Sequence, residues 1–388
     1  MKTVLYVIVD GMTETEAVNS SLSQAITPNM DWVAEEGEIG FYLPEKEPEA
    51  NEPKTDVVIP AFFDFPVSMN PGRVGLELLD LNIKLIPGSF CFSCRVTPPN
   101  SADNLDWRKF IVVNPIVLIQ LESRLRSLAT KYGAVCTRSM ASNYGDCFLF
   151  GNCHASSYRD LCEEVAACLS SFSLTPFVGN IHQVPSSLYL VEGIRKDLVF
   201  LGWAKGSLRG AFRFLGASCN PFTREQASYF NWESYWRNFS SWARPYLQQC
   251  NLMGKTFVLY TKETAFASRQ GSREMKIRGI EFMDRMLGEI QRLLVGEVTI
   301  VMLSDHSCNI GGYDNPTSNT LYAYARVSGG TLIQNKLMRR HFCESAVDQK
   351  QSIQITQLAL VQKISMFRYD FHLHGPSANN RFIVPSVI

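Results

Sequence analysis

Two stretches far apart in the chain end in residues that could hold a cation. The run Val4-Leu5-Tyr6-Val7-Ile8-Val9 stops at Asp10 and Gly11, and the run Val298–Leu303 stops at Ser304, Asp305 and His306. Carboxylate oxygens and an imidazole nitrogen are the ligands a divalent ion takes from protein, so the two run ends read as halves of one metal site. On spacing alone a plainer arrangement stays open, in which Asp10 caps a helix and His306 fills a loop. A second set is Cys91-x-x-Cys94 with Cys147 and Cys153-His154. Its irregular spacing suits buried thiols better than zinc.

Elements of recognisable kind surround these residues. An unbroken, β-branched run of strand length suits a strand covered on both faces of a parallel sheet, and such sheets bind ligands at the carboxyl ends of their strands. Ser23–Gly40 reads as a helix, with Thr27-Pro28-Asn29 near its start and Met30, Val33 and Ala34 facing inward. Ile39–Tyr42 reads as a strand, and 44–54 as a Pro- and Glu-rich loop. Lys54-Thr55-Asp56-Val57 opens an apolar stretch to Phe63, and Leu76–Leu79 is a helical piece. From Ser89 the texture changes. Strands at 90–96, 110–113, 135–138 and 147–150 alternate with helices at 115–130 and 158–171, which predicts a small inserted α/β domain over 89–193. The main domain, 1–88 and 194–388, then continues with a strand at 198–203 and a helix at 206–215. A helix at 229–250 follows, aromatic on one side (Phe230, Trp232, Trp236, Phe239 and Trp242), which reads as core; then come a strand at 257–260 and a long helix at 273–294. The last strands expected are the Val298–Leu303 run and 321–327.

The chain has 388 residues, enough for two domains. Lysine plus arginine equals aspartate plus glutamate at 37 each, and no basic block occurs, so no nucleic-acid partner is expected. Apolar runs fall well short of the roughly 20 residues that cross a bilayer, so no membrane association is expected. Residues 1–10 lack the pattern of a signal peptide, and an odd total of 11 cysteines suits reduced thiols, so a cytoplasmic protein is expected.

Seven stretches, in order, resemble the archaeal-type, cofactor-independent phosphoglycerate mutases of the alkaline-phosphatase superfamily. They are VLYVIVDGM (4–12), TPNMDWVAEEGEIG (27–40), KTDVV (54–58), GRVGLELLDLNIKLIPG (72–88), KGSLRGAFRFLGA (205–217), KIRGIEFMDRMLGEI (276–290) and LSDHS (303–307). The resemblance implies an α/β fold with an alkaline-phosphatase-like, mostly parallel central sheet flanked by helices, and a smaller inserted α/β domain. It implies interconversion of 2- and 3-phosphoglycerate, a glycolytic step, by phosphoryl transfer through a hydroxyl nucleophile between two divalent ions, Mn²⁺ or Mg²⁺. Carried over, the nucleophile is Thr55, and one ion is held by Asp10, Thr55, Asp305 and His306. Arg73, Arg95, Arg209 and Arg269 are the candidates for holding substrate charge, with ordinary salt bridging the plainer reading of Arg73 and Arg209.

The second ion is where the chain departs from the family. The family's Asp-x-x-x-His segment falls on Thr264 or Ala265 and on Ser268 or Arg269, and no histidine follows His306 in 308–315. Glu263 and Asp314 are the only nearby carboxylates that could substitute. One ion rather than two is therefore expected. Activity on a phosphorylated small molecule is expected to be weakened or lost. In the alternative, the chain is an inactive relative that binds a ligand or a protein partner, with the aromatic stripe near 229–242 as a contact surface.

Overall fold

The computed structural model describes residues 3–14, 20–36, 38–43, 54–97, 114–139, 147–202, 206–221, 232–248, 254–294, 298–304, 308–311, 322–328 and 381–383. They form two compact units, one of residues 1–50, 195–204 and 217–388 and one of 51–194 and 205–216. The second contains the stretch 89–193 together with 51–88 and 205–216.

In chain order, β1 (Thr3–Val9), α1 (Ser21–Gln24), α2 (Pro28–Glu36) and β2 (Glu38–Leu43) open the first unit. The second unit holds α3 (Lys54–Phe62), α4 (Gly72–Asp80), β3 (Phe90–Thr97), α5 (Pro115–Lys131), β4 (Val135–Ser139), β5 (Cys147–Cys153), α6 (Tyr158–Ser171) and β6 (Thr175–Gln183). After β7 (Leu198–Phe200) in the first unit and α7 (Gly206–Phe214) in the second, the first unit is completed. Its remaining elements are β8 (Ser218–Cys219), α8 (Trp232–Gln248), β9 (Thr256–Thr261), α9 (Glu263–Arg269), α10 (Arg273–Leu293), β10 (Val298–Leu303), β11 (Tyr322–Ser328) and β12 (Arg381–Ile383).

The first unit is built on an eight-stranded sheet in the order β12-β2-β11-β10-β1-β9-β7-β8. From β10 to β8 the strands run parallel, and β11, β2 and β12 add an antiparallel flank. Every residue of β1 is buried, as an unbroken apolar run flanked by parallel strands requires. Leu5, Val7 and Val9 share a core with Met30, Trp32 and Val33 of α2, Phe239 of α8, and Ile280, Met283 and Leu287 of α10. Trp236, Trp242 and Tyr246 pack against that same core. The aromatic side of α8 at Trp236, Phe239 and Trp242 is thus core, as its plainer reading expected, and not the contact surface of the alternative.

The single helix expected from Ser23 is two helices, α1 and α2, and the strand expected from Ile39 follows them as β2. Ser20 caps α1 through its hydroxyl, which accepts from Ser23 N at 3.1 Å. Pro28 starts α2, where its missing N–H costs nothing. The donors at this start are taken by Asp284 of α10, whose Oδ1 accepts from Asn29 N at 2.9 Å and Met30 N at 2.8 Å. Asn29 Nδ2 donates to Asp284 Oδ2 at 2.8 Å. A Cβ on Gly288 would lie 2.6 Å from Asn29 Oδ1, so the bare glycine lets the two helices meet here.

In the second unit β4-β5-β3-β6 form an antiparallel sheet. Leu118, Leu121 and Leu125 of α5 and Leu161, Val165 and Leu169 of α6 bury one face against Phe92, Phe148 and Phe150. Cys91, Cys94 and Cys153 are buried thiols, and burial pushes Cys91 up to about 11 and Cys153 up to about 12. α4 and α7 pack closely, since a Cβ on Gly210 would lie 1.9 Å from the Leu76 carbonyl oxygen. β6 was not expected from sequence, and the strand expected at 110–113 lies outside the described residues. Among the described residues no helix is long and apolar enough to cross a membrane.

Burial raises the Asp284 carboxyl to about 6, against the hydrogen bonds that act to lower it. A carboxyl that titrates higher folded than unfolded binds its proton more tightly in the native state. Its contribution to stability is therefore full below about pH 4 and lost as the pH rises through about 6. Urea unfolding of wild type and Asp284→Asn across this window is expected to show the difference moving in the variant's favour by about 3 kcal/mol. A difference that stays constant with pH would contradict the assignment.

Candidate functional site

Asp10 is the first residue past β1, and its neighbours are fixed by strand register. β9 runs parallel to β1 with Ile8 opposite Tyr260 and Val9 opposite Thr261, and Asp10 N donates to the Thr261 carbonyl at 3.0 Å. Residues two apart on an extended chain share a face, so Tyr260 and Lys262 point the same way from the end of β9. Both reach the same oxygen. The Tyr260 hydroxyl donates to Asp10 Oδ2 at 2.6 Å, and Lys262 Nζ lies 3.3 Å from it. The Asp10 side chain is wholly buried and that of Lys262 is 11% exposed, so this is an ion pair held away from bulk water.

The turn after Asp10 rests on α9 and on the chain that follows β10. The Thr264 hydroxyl donates to the Asp10 carbonyl. Gly11 has a φ of +66°, and a Cβ there would lie 2.8 Å from Cys308 Cβ and 3.1 Å from Ala265 Cβ, so only glycine fits. The Ser268 hydroxyl faces the carbonyls of Thr264 at 3.1 Å and Cys308 at 3.2 Å. Lys276 of α10, fully buried, donates to the Cys308 carbonyl at 2.6 Å and lies 3.2 Å from Glu14 Oε1. Burial pulls the Lys276 ammonium below its usual range, and Glu14 opposes that shift. Glu14 in turn accepts from Ser21 N at 3.0 Å, tying the cluster to α1.

The other expected site residues are placed as follows. Asp305, His306 and Asp314 lie outside the described residues. β10, which precedes the first two in the sequence, pairs with β1 with Leu303 opposite Ile8, and Ser304 is buried. Thr55 is in the first turn of α3, and its side chain lies outside the described residues. The adjacent Asp56 is buried, and its Oδ1 accepts from the Ser207 hydroxyl at 2.8 Å. Arg73 donates to Glu77 Oε1 at 3.0 Å, and Arg209 forks onto both Asp80 oxygens at 2.5 to 3.0 Å. Arg95 is half-buried on β3, and Arg269 is half-buried as the last residue of α9. Glu263 is buried at the start of α9, where its amide donates to the Thr261 hydroxyl at 3.3 Å.

The metal chemistry implied by the resemblance can be tested against these contacts. Thr264 and Ser268, at two of the positions expected to bear second-ion ligands, spend their hydroxyls on backbone carbonyls, and Ala265 packs on Gly11. At Asp10 Oδ2 the described surroundings fit an ammonium rather than a divalent ion, because that oxygen already faces Lys262 and Tyr260. Sequence reasoning missed both residues. The available signal was their alternation about Thr261 at the end of a strand that pairs with the Asp10 strand.

No family model matches the chain, and no curated protein matches it in sequence. Among solved structures, the PH0037 protein from Pyrococcus horikoshii is similar with a TM-score of 0.64 at 17% identity, over 88% of this chain and 92% of that one. The cofactor-independent phosphoglycerate mutase from Thermoplasma acidophilum is similar with a TM-score of 0.50 at 13% identity, over 88% and 94%. The chain has their fold. At these identities the likeness speaks of fold alone, and it agrees with the α/β architecture expected from the seven stretches.

Tyr260→Phe removes one donor from a buried carboxylate and adds nothing in its place. The variant is expected to lose about 1–3 kcal/mol of stability, read by chemical denaturation. An unchanged midpoint would show that Asp10 does not depend on this hydroxyl.

Proposed function

We propose that this chain is a relative of the cofactor-independent phosphoglycerate mutases in which two-ion phosphoryl transfer is strongly weakened or lost, so that it acts chiefly as a binding protein. The observation that carries this reading is the state of α9. Thr264 and Ser268 are hydrogen-bonded to backbone carbonyls, and Ala265 is packed on Gly11, at positions matching those where the family carries second-ion ligands. Hydroxyls engaged in this way, and a methyl group, supply no carboxylate or imidazole. Arg269 could neutralise charge on a phosphoryl group, but a guanidinium does not activate a hydroxyl as a metal ion does. Losing one ion of a pair removes several kcal/mol of transition-state stabilisation, about a thousandfold in rate or more.

A second reading keeps residual transfer, with Thr55 as nucleophile and a single Mn²⁺ or Mg²⁺. It is favoured by the place of Thr55 in the first turn of α3, since the first backbone N–H groups of a helix favour an anion. The substrate in that case is a phosphorylated small molecule such as phosphoglycerate.

Metal analysis and exchange of 2- and 3-phosphoglycerate test the proposal together. The purified chain is expected to hold at most one Mn²⁺ equivalent and to exchange the isomers slowly or not at all. Two tightly held ions with brisk isomerisation would overturn it. Any phosphoenzyme that forms is expected to disappear in Thr55→Ala, and a labelled phosphoprotein surviving that change would remove Thr55 from its role.

A further inference from the structure

We infer that the Lys262 ammonium is the resident cation of Asp10, standing in for a divalent ion and excluding one from that carboxylate. This rests on reading Asp10 as the counterpart of the family's metal-binding aspartate, and it goes beyond the loss of the second ion to the remaining one. Four observations carry it. The ammonium lies 3.3 Å from Oδ2, a contact distance for an ion pair. The Tyr260 hydroxyl occupies the same oxygen at 2.6 Å, so both groups converge on one of the two oxygens through which a metal ion could bond. The pair is nearly sealed from solvent, so the lysine is not a surface side chain passing over the site. Its position is set by backbone pairing: Val9 stands opposite Thr261, the last residue of β9, and Asp10 N is bonded to the Thr261 carbonyl, which places Lys262, the next residue and the N-cap of α9, beside Asp10.

The two kinds of cation compete directly. A divalent ion bonds carboxylate oxygen at about 2.0–2.6 Å, so on Oδ2 it would sit within a few Å of Nζ, with like charges facing each other in a dry setting. A lysine needs only to point inward to neutralise Asp10, and it does so whatever the metal supply. Replacing two positive charges by one also lowers the local pull on a phosphate group, which favours a weakly held anionic ligand over phosphoryl transfer.

The test is Mn²⁺ titration calorimetry and thermal unfolding, with EDTA or with Mn²⁺, of the full chain as wild type, Lys262→Met and the double variant Asp10→Asn/Lys262→Met. Wild type is expected to show no Asp10-dependent Mn²⁺ binding and a melting temperature indifferent to EDTA and Mn²⁺. Lys262→Met is expected to bind Mn²⁺ at least about tenfold more tightly and to melt higher with the ion than without it. The double variant is expected to lose that gain. A folded Lys262→Met protein that gains no affinity would overturn the inference. If that variant does not fold, wild type against Asp10→Asn decides: tight Mn²⁺ binding abolished by Asp10→Asn overturns it, and binding in neither supports it. One tightly held ion in wild type with slow isomerisation defeats this inference alone, whereas two ions with brisk isomerisation defeat the proposed function as well.

Discussion

A carboxylate with no solvent exposure has to be compensated where it stands, because an isolated buried charge costs far more than a domain's net stability can absorb. Asp10 is such a group, and much of the first unit can be understood as its compensation. Its place is fixed by β1, buried along its whole length between two parallel strands. The positive charge comes from Lys262, directly after β9, and a hydrogen bond comes from Tyr260, which β9 holds in register. The backbone turn that follows is closed by Thr264, Ala265 and Cys308 around a glycine that no other residue could replace. The contacts of Tyr260 and Lys262 depend on the parallel pairing of β1 and β9, since a slip of one residue would turn both to the opposite face.

Around this centre the same solution recurs with other partners. Lys276 is buried and is matched by Glu14 and the Cys308 carbonyl. Asp284 is buried and is matched by the donors at the start of α2. In the second unit Arg209 and Asp80 form a forked pair, and Arg73 is paired with Glu77, whose other oxygen accepts from Ser139 at 3.1 Å. Two arginines that the family resemblance assigns to substrate are thus also internal ties between α4 and α7 or within α4. Breaking a buried pair of this kind typically costs about 3–5 kcal/mol, so their presence in the sequence has a structural explanation independent of any ligand.

Much of the fold was legible in the sequence because it depends on local pattern. The β-branched run before Asp10, the proline at the start of α2, the helical spacing of Ile280, Met283 and Leu287, and the alternation in β3 each report their element directly. What was not legible depends on pairing between distant segments. β6 carries Pro176 and Gly179, residues that weaken a strand signal, and it exists because β3 supplies its ladder. The tie between Asn29 and Asp284 joins two of the seven matching stretches, yet neither shows why the other needs it. The aromatic face of α8 supported two opposite expectations until the core it packs against was known. At the candidate site, sequence located Asp10 and the altered α9 segment. It did not single out Lys262, because a lysine at a strand end looks like any solvated lysine until the adjacent strand's register is known.

The account stands on the cation beside Asp10 being a lysine. Crystals of the full chain grown in manganese, with diffraction recorded at the manganese absorption edge, would locate any ion bonded to that carboxylate. The account predicts no manganese peak on Asp10 and the Lys262 ammonium in contact with Oδ2. A peak bonded to the Asp10 carboxylate, with Lys262 turned away from it, would contradict the account at its centre.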